Sequence, residues 1–246
     1  MSLPVFLSPS VTGVPVGTSI VLDGDEGRHA ATVMRIRVGE QIALTDGAGS
    51  SATCTVTEAG KARLAVRVDT VRYADRPLPS VTVVQAIPKG DRGELAVEML
   101  TEIDVDRIVP WAASRSVAVW RGERAAKSLA RWRATALAAS KQARRSWLPE
   151  VTEQASTDDV VALLREADLA VVLHESARVP LAALPLEGVE RVVVVVGPEG
   201  GLTDEELAAF SAAGGEVVRL GSSVLRTSTA GVVAASALLA RTIRWS

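Results

Sequence analysis

Five consecutive valines, residues 192–196, constrain this 246-residue chain more than any other stretch. The run is far too short for a bilayer, which takes about 20 apolar residues. It is apolar without alternation, as a strand buried on both faces of a parallel sheet must be. It stops at Gly197-Pro198-Glu199-Gly200-Gly201, where glycines admit positive φ and let a ligand approach the backbone closely. Thr203 then opens a helix, and Glu206 three residues on supplies the reciprocal half of a capping box. Strand, glycine loop and helix start together make the ligand-binding edge of an open α/β sheet. A second such edge follows at once. Val217 to Leu220 reads as a strand, Gly221 to Leu225 as a loop, and Thr227 or Thr229 as the cap of the last helix.

The chain before this stretch falls into two patterns. Residues 1–72 carry turn punctuation at roughly ten-residue spacing, with strands at Ser19 to Leu22, Gln41 to Thr45, Ala52 to Thr57 and Ala62 to Val68, and one short helix from Glu26 to Met34. That is a small β-barrel or sandwich. Residues 73–80, with Pro77 and Pro79, read as a linker. From residue 81 to 246 strands alternate with helices: strands at Val81 to Ile87, Arg107 to Trp111 and Ala170 to Leu173, helices at Gly93 to Ile103, 123–143 and Asp158 to Ala167. This alternation predicts a mainly parallel sheet with helices on both faces.

Composition excludes several classes. Cys54 is the only cysteine, so no internal disulfide framework exists and a reducing compartment fits. With His29 and His174 as the only histidines, no metal site is expected. The start of the chain has no charged, apolar leader pattern, so a soluble cytoplasmic protein is expected. The glycine loop lacks the Gly-Lys-Ser/Thr ending of a P-loop and is not GxGxxG, which disfavours a dinucleotide-dependent oxidoreductase. No Ser/His/Asp or Cys/His set suggests a covalent nucleophile.

The net charge of −2 conceals segregation. Between Arg121 and Arg145 stand eight basic residues and one acidic; between Glu187 and Glu216, seven acidic and one basic. Such a basic block is either a solvated helix face or the footprint of a phosphate backbone. Trp120, Trp132 and Trp147 punctuate it, either stacking or anchoring the helix. Arg226, at a helix start where the macrodipole favours anions, is either aimed at a ligand or paired with an acidic neighbour.

Five stretches, in order along nearly the whole chain, resemble the RsmE family, the 16S rRNA uridine-N3 methyltransferases of the knotted SPOUT superfamily. They are HAATVMRIRVGEQIALTDGAG, IPKGDRGELAVEMLTEIDVDRIVPWAASRSV, ARWRATALAASKQARRSWLPEV, VVVVVGPEGGLTDEEL and LGSSVLRTSTA. The chain departs from the family pattern at Ile103-Asp104, where a Leu-Gly pair is usual. It departs again at Ser222-Ser223 in place of Pro-Arg, and at Ser228 in place of a common glutamate.

The resemblance implies a PUA-like β-barrel that helps bind RNA, then a SPOUT domain with a trefoil knot, acting as a homodimer on the small-subunit rRNA. It implies S-adenosyl-L-methionine as cofactor, held by Leu173, His174, Gly197, Pro198, Glu199, Gly200, Gly201, Leu220, Gly221, Val224, Leu225, Thr227 and Ala230. It implies Arg226 as the catalytic residue, stabilising the uracil anion that develops as the N3 proton leaves. The rRNA would lie across Arg28, Arg35, Lys89, Arg92, Arg115, Arg144 and Arg145. The alternatives are a SPOUT enzyme acting on a ribose 2′-OH and a non-catalytic RNA-binding protein that keeps a cofactor pocket.

Overall fold

The computed structural model describes residues 3–245. The chain forms two compact units. One holds the chain up to Arg76 together with Ser140–Leu148; the other holds Pro77–Ala139 and the chain from Pro149 onward.

The first unit is a mixed five-stranded sheet. Its elements are β1 (Val5–Leu7), β2 (Ser19–Leu22), α1 (Gly24–Arg28), β3 (Gln41–Thr45), β4 (Ser50–Ala59) and β5 (Leu64–Tyr73), with strand order β1-β3-β4-β5-β2. Burial alternates along β4 and the start of β5, because successive side chains point to opposite faces. Phe6, Ile42, Leu44, Cys54, Leu64 and Val66 fill the inner face and are fully buried. The helix expected from Glu26 to Met34 begins earlier and ends at Arg28; residues 29–33 widen into a π turn. Segment 140–148 is tied to this sheet. Lys141 Nζ lies 2.7 Å from Glu26 Oε1, and the Trp147 indole N–H donates to Ala74 O at 2.9 Å. Gly49, at φ +101°, carries that contact: a Cβ there would stand 2.7 Å from Ala74 O and 2.9 Å from the Trp147 ring.

The second unit contains β6 (Ser80–Ala86), α2 (Arg92–Glu102), β7 (Arg107–Trp111), most of α3 (Glu123–Ala143), β8 (Glu150–Val151), α4 (Thr157–Glu166), β9 (Leu169–Leu173), β10 (Val179–Pro180), β11 (Arg191–Val196), α5 (Asp204–Ala212), β12 (Glu216–Arg219) and α6 (Thr227–Leu239). Its seven strands pair in parallel in the order β10-β12-β9-β11-β6-β7-β8. The valine run lies near the middle, between β9 and β6, and serves two cores. Val192, Val194 and Val196 join Val83, Leu100, Trp132 and Leu238 on one face; Val193 and Val195 join Val84, Leu164, Val172 and Phe210 on the other. Each fully buried valine contributes about 1.5–3 kcal/mol over an exposed one, so the run specifies a central, doubly covered strand.

α6 has no charged residue and lies directly on the sheet. A Cβ on Gly231 would come within 3.1 Å of Val196 and 3.2 Å of Val83. The buried Gln85 of β6 donates from Nε2 to Thr227 O at 3.2 Å, joining that strand end to the first turn of α6. Beyond α6, Arg244, with its side chain only 1% exposed, donates to both Asp104 Oδ2 and Asp106 Oδ2, at 2.6 and 2.7 Å. Asp104 sits at φ +71°, a left-handed conformation that glycine adopts freely. The aspartate standing where the resembled family has glycine thus keeps a glycine's backbone and adds an anchor for Arg244.

Candidate functional site

Four neighbouring strands, β12, β9, β11 and β6, send their carboxyl ends to the same edge of the second unit. The loops leaving them enclose a cavity of about 560 Å³, within the usual range of small-ligand sites. Lys89 comes from the loop after β6, Arg92 from the start of α2, and Leu173, His174 and Glu175 from the end of β9. The β11 loop supplies Val196 through Glu199 with Gly201 and Leu202; the β12 loop supplies Arg219 through Thr227; Ala230 closes the set from α6.

Local chemistry fixes these loops. The β11 loop ends in the expected capping box, with the Thr203 side chain accepting from Glu206 N–H and Glu206 Oε2 accepting from Thr203 N–H. Glu206 is buried, and its other oxygen accepts from Ser114 N–H at 2.8 Å. Arg115 next door donates from Nη1 to the carbonyls of Leu202 at 3.2 Å and Gly200 at 3.4 Å. Gly200 presses so closely on it that a Cβ would lie 3.0 Å from Arg115 Cβ. Across the cleft Glu199 Oε1 accepts from Lys89 N–H at 3.2 Å, joining the β11 and β6 loops. His174 N–H donates to Val218 O at 2.9 Å, and its ring Nδ1 lies 3.3 Å from Ser176 N.

The start of α6 differs from expectation. Neither Thr227 nor Thr229 caps it: the N-cap is Arg226, without a side-chain cap, and the first turn carries no acid. The Arg226 carbonyl begins the helix by accepting from Thr229 and Ala230 N–H at 2.8 and 2.9 Å. The positive end of α6 therefore faces the cavity through Thr227 with no side chain competing for it. Arg226 is exposed, lines the cavity, and has no carboxylate partner among the described residues. The paired-surface-arginine reading of this residue has no support. Lys89, Arg92, Arg219 and Arg226 face only Glu175 and Glu199 around the rim, so the cleft favours an anionic partner.

Of the residues the resemblance assigned to the cofactor, all but Gly200 line this one cavity; Gly200 turns its back to it and packs on Arg115. Lys89 and Arg92, expected on RNA, line it as well. The other expected RNA contacts lie outside it. Arg28 is exposed, 3.7 Å from Asp25. Arg35 and Arg144 are exposed at φ +55° and +54°. Arg145 is buried, its Nε–H donating to Trp147 O at 2.9 Å, so it is a structural residue of the first unit and presents no surface charge. The basic block is also partly neutralised, by Glu94 at Arg131, Glu153 at Arg133 and Glu26 at Lys141. Sequence reasoning missed Glu175, Arg219 and Gln85. A charge closing the apolar strand before Gly221 was the available signal for Arg219; Gln85, a polar residue inside a buried strand, was the signal for a tie to another element.

A parallel sheet with glycine loops at its carboxyl edge, joined to a β-rich unit, defines a class, and the comparisons define the same one. A family model described as RNA methyltransferase domain matches residues 75–239, and one described as RNA methyltransferase PUA domain matches residues 22–69. The chain belongs to the ribosomal RNA small subunit methyltransferase E family. It is 47% identical over 234 residues to the Mycobacterium bovis protein of that name, covering 93% of this chain and 89% of the other. It is 30% identical to the Bacillus subtilis one, covering 88% of each. Among solved structures, the Neisseria gonorrhoeae ribosomal RNA small subunit methyltransferase E bound to S-adenosyl methionine is similar, with a TM-score of 0.87 at 29% identity over 98% of both chains. The putative methyltransferase Lpg2936 from Legionella pneumophila, in complex with SAM, gives 0.88 at 29% over the same coverage.

Proposed function

We propose that this protein transfers the methyl group of S-adenosyl-L-methionine to N3 of a uridine in 16S rRNA. The observation that carries the reading is the single cleft at the edge of the valine strand. Nearly every residue of the two resembled cofactor loops meets there, beside an arginine with no carboxylate partner among the described residues.

The residues present suit that cofactor. Leu173, Leu202 and Leu225 offer apolar surface for an adenine, and the glycine-bearing loops offer backbone donors and acceptors for the ribose and amino-acid parts. The cofactor supplies an electrophilic methyl, so the protein's task is to position an acceptor and ease loss of its proton. Arg226 is placed to do the second: a guanidinium at a uracil carbonyl stabilises the anion formed as N3–H ionises. No covalent step is needed. The buried Cys54 thiol is pushed up to about 11 by desolvation and by Asp69, which removes it as a nucleophile at neutral pH. Lys89, Arg92 and Arg219 at the rim, with Arg144, Arg28 and Arg35 outside it, would meet the RNA backbone.

In this reading the protein is a cytoplasmic homodimer whose C-terminal domain is knotted. Support for the dimer comes from α2 and α6, which leave Leu95 46% and Val233 37% exposed on otherwise well-packed helices. No helix among the described residues is long and apolar enough to cross a membrane.

The test is methylation of unmodified 16S rRNA or small subunits in vitro, with nucleoside mass spectrometry of the product. N3-methyluridine is expected; a ribose-methylated nucleotide, or none, sinks the reading. Arg226→Ala should lower kcat by about 10²–10³-fold with little change in cofactor affinity, and equal losses in both would remove its catalytic role.

A further inference from the structure

We propose that a second cavity of the C-terminal unit receives an unstacked base of the substrate RNA, next to the nucleotide being modified. This inference rests on RNA being the substrate. The cavity measures about 240 Å³ and lies between the start of α2, the start of α3 and the loop before α3. It adjoins the cofactor cleft through one loop: Pro88, Gly90 and Asp91 line the second cavity, and Lys89 between them lines the first. A strand with one nucleotide in the cleft therefore has a neighbouring hollow one loop away.

Its walls have the chemistry of a base site. Trp120 and Trp132 meet edge to face, with centroids 4.9 Å apart and planes at 80°. Trp120 is only partly buried, whereas Trp132 is 2% exposed. Gly93 lets the indole edge of Trp132 reach the wall, since a Cβ there would stand 2.8 Å from its Nε1. The Trp132 indole N–H has no hydrogen-bond partner among the described residues. Buried indoles usually find one, and a base carbonyl or ring nitrogen would supply it. Arg124 and Arg131 stand at the cavity about two turns apart on α3. Arg131 is 3.6 Å from Glu94, while Arg124 has no carboxylate partner among the described residues. Aromatic faces with cations at the rim are how proteins hold single-stranded RNA, stacking the base and meeting the phosphate. An apolar peptide would leave both the cation and the indole donor unused.

The experiment measures filter binding of unmethylated 16S rRNA to the full-length protein, with cofactor affinity determined in parallel. Trp120→Ala should weaken RNA binding by roughly 5- to 100-fold, with cofactor affinity and the salt slope unchanged. Trp120→Phe should recover most of the loss. Arg124→Ala should lower the salt slope by about one. Because Trp120 also packs on the core, Ser128→Phe, which fills the cavity and removes no aromatic, serves as a second variant and should weaken RNA binding equally. Unchanged RNA affinity in both Trp120→Ala and Ser128→Phe overturns the proposal. So does a loss that follows dissociation into monomers by sedimentation, since a second copy of the chain would then occupy the cavity. Binding is read without methyl transfer, so failure of the methylation reading would show separately, in the nucleoside analysis of the wild-type product.

Discussion

Arg115, which the resemblance placed on RNA, makes contacts within the protein that the sequence alone did not show. In the structure its guanidinium holds the carbonyls of Gly200 and Leu202 from behind, while its Cβ meets the glycine face. These bonds brace the β11 glycine loop. Arg115→Ala should therefore raise the KM for S-adenosylmethionine about three- to tenfold, a hydrogen-bonded charge at a partly exposed site being worth a modest amount. The kcat at saturating cofactor and the salt slope of RNA binding should stay the same. A reduced salt slope with unchanged cofactor KM would return Arg115 to the RNA. Arg145 teaches the same lesson more strongly. Adjacent arginines on a basic helix look alike in sequence, yet the chain turns left-handed at Arg144 and carries Arg145 inward to Trp147.

At the scale of elements, legibility followed burial. Strands β6, β7, β9 and β11 were readable to within a residue or two because both of their faces are buried, so their sequences are mostly apolar. The edge strands β1, β8 and β10 were not, being two or three residues long and defined only by pairing with chain far away in sequence. The start of α6 was misread because threonines are good caps by propensity; there Gln85 and the packing of Gly231 set the helix position instead. The start of α5 was read correctly because a capping box is local. Its glutamate also does something that no local pattern reveals, by accepting from Ser114 N–H ninety-two residues away. Thr203→Ala removes only a cap and should cost about 1 kcal/mol. Glu206→Ala removes the carboxylate acceptor of the half-buried Ser114 N–H as well and should cost about 2–3 kcal/mol in denaturant unfolding. Equal losses in the two variants would show that the bond to Ser114 adds nothing.

At the scale of the whole molecule, two units share one chain in an interleaved order. Ser140–Leu148 belongs to the first unit although the chain on both sides of it belongs to the second. No composition shift marks that excursion; only Trp147 and Leu148, apolar residues next to a basic stretch, hint that it is buried somewhere. The cleft proposed for the cofactor, by contrast, is lined entirely by the second unit. A ligand that binds only the folded state adds RT ln(1 + [L]/Kd), about 2.7 kcal/mol at a hundredfold excess over Kd. S-adenosylmethionine should therefore raise the calorimetric transition of the C-terminal unit by several degrees and leave that of the β-rich unit where it was. Tryptophan fluorescence can assign the two: Trp147 is the only tryptophan of the first unit, and Trp111, Trp120, Trp132 and Trp245 lie in the second. A chain keeping only Trp147 would report the β-rich unit alone. If its midpoint rises with cofactor as far as that of the whole protein, the interleaved segment couples the two units into one cooperative structure, and cofactor binding stabilises both together.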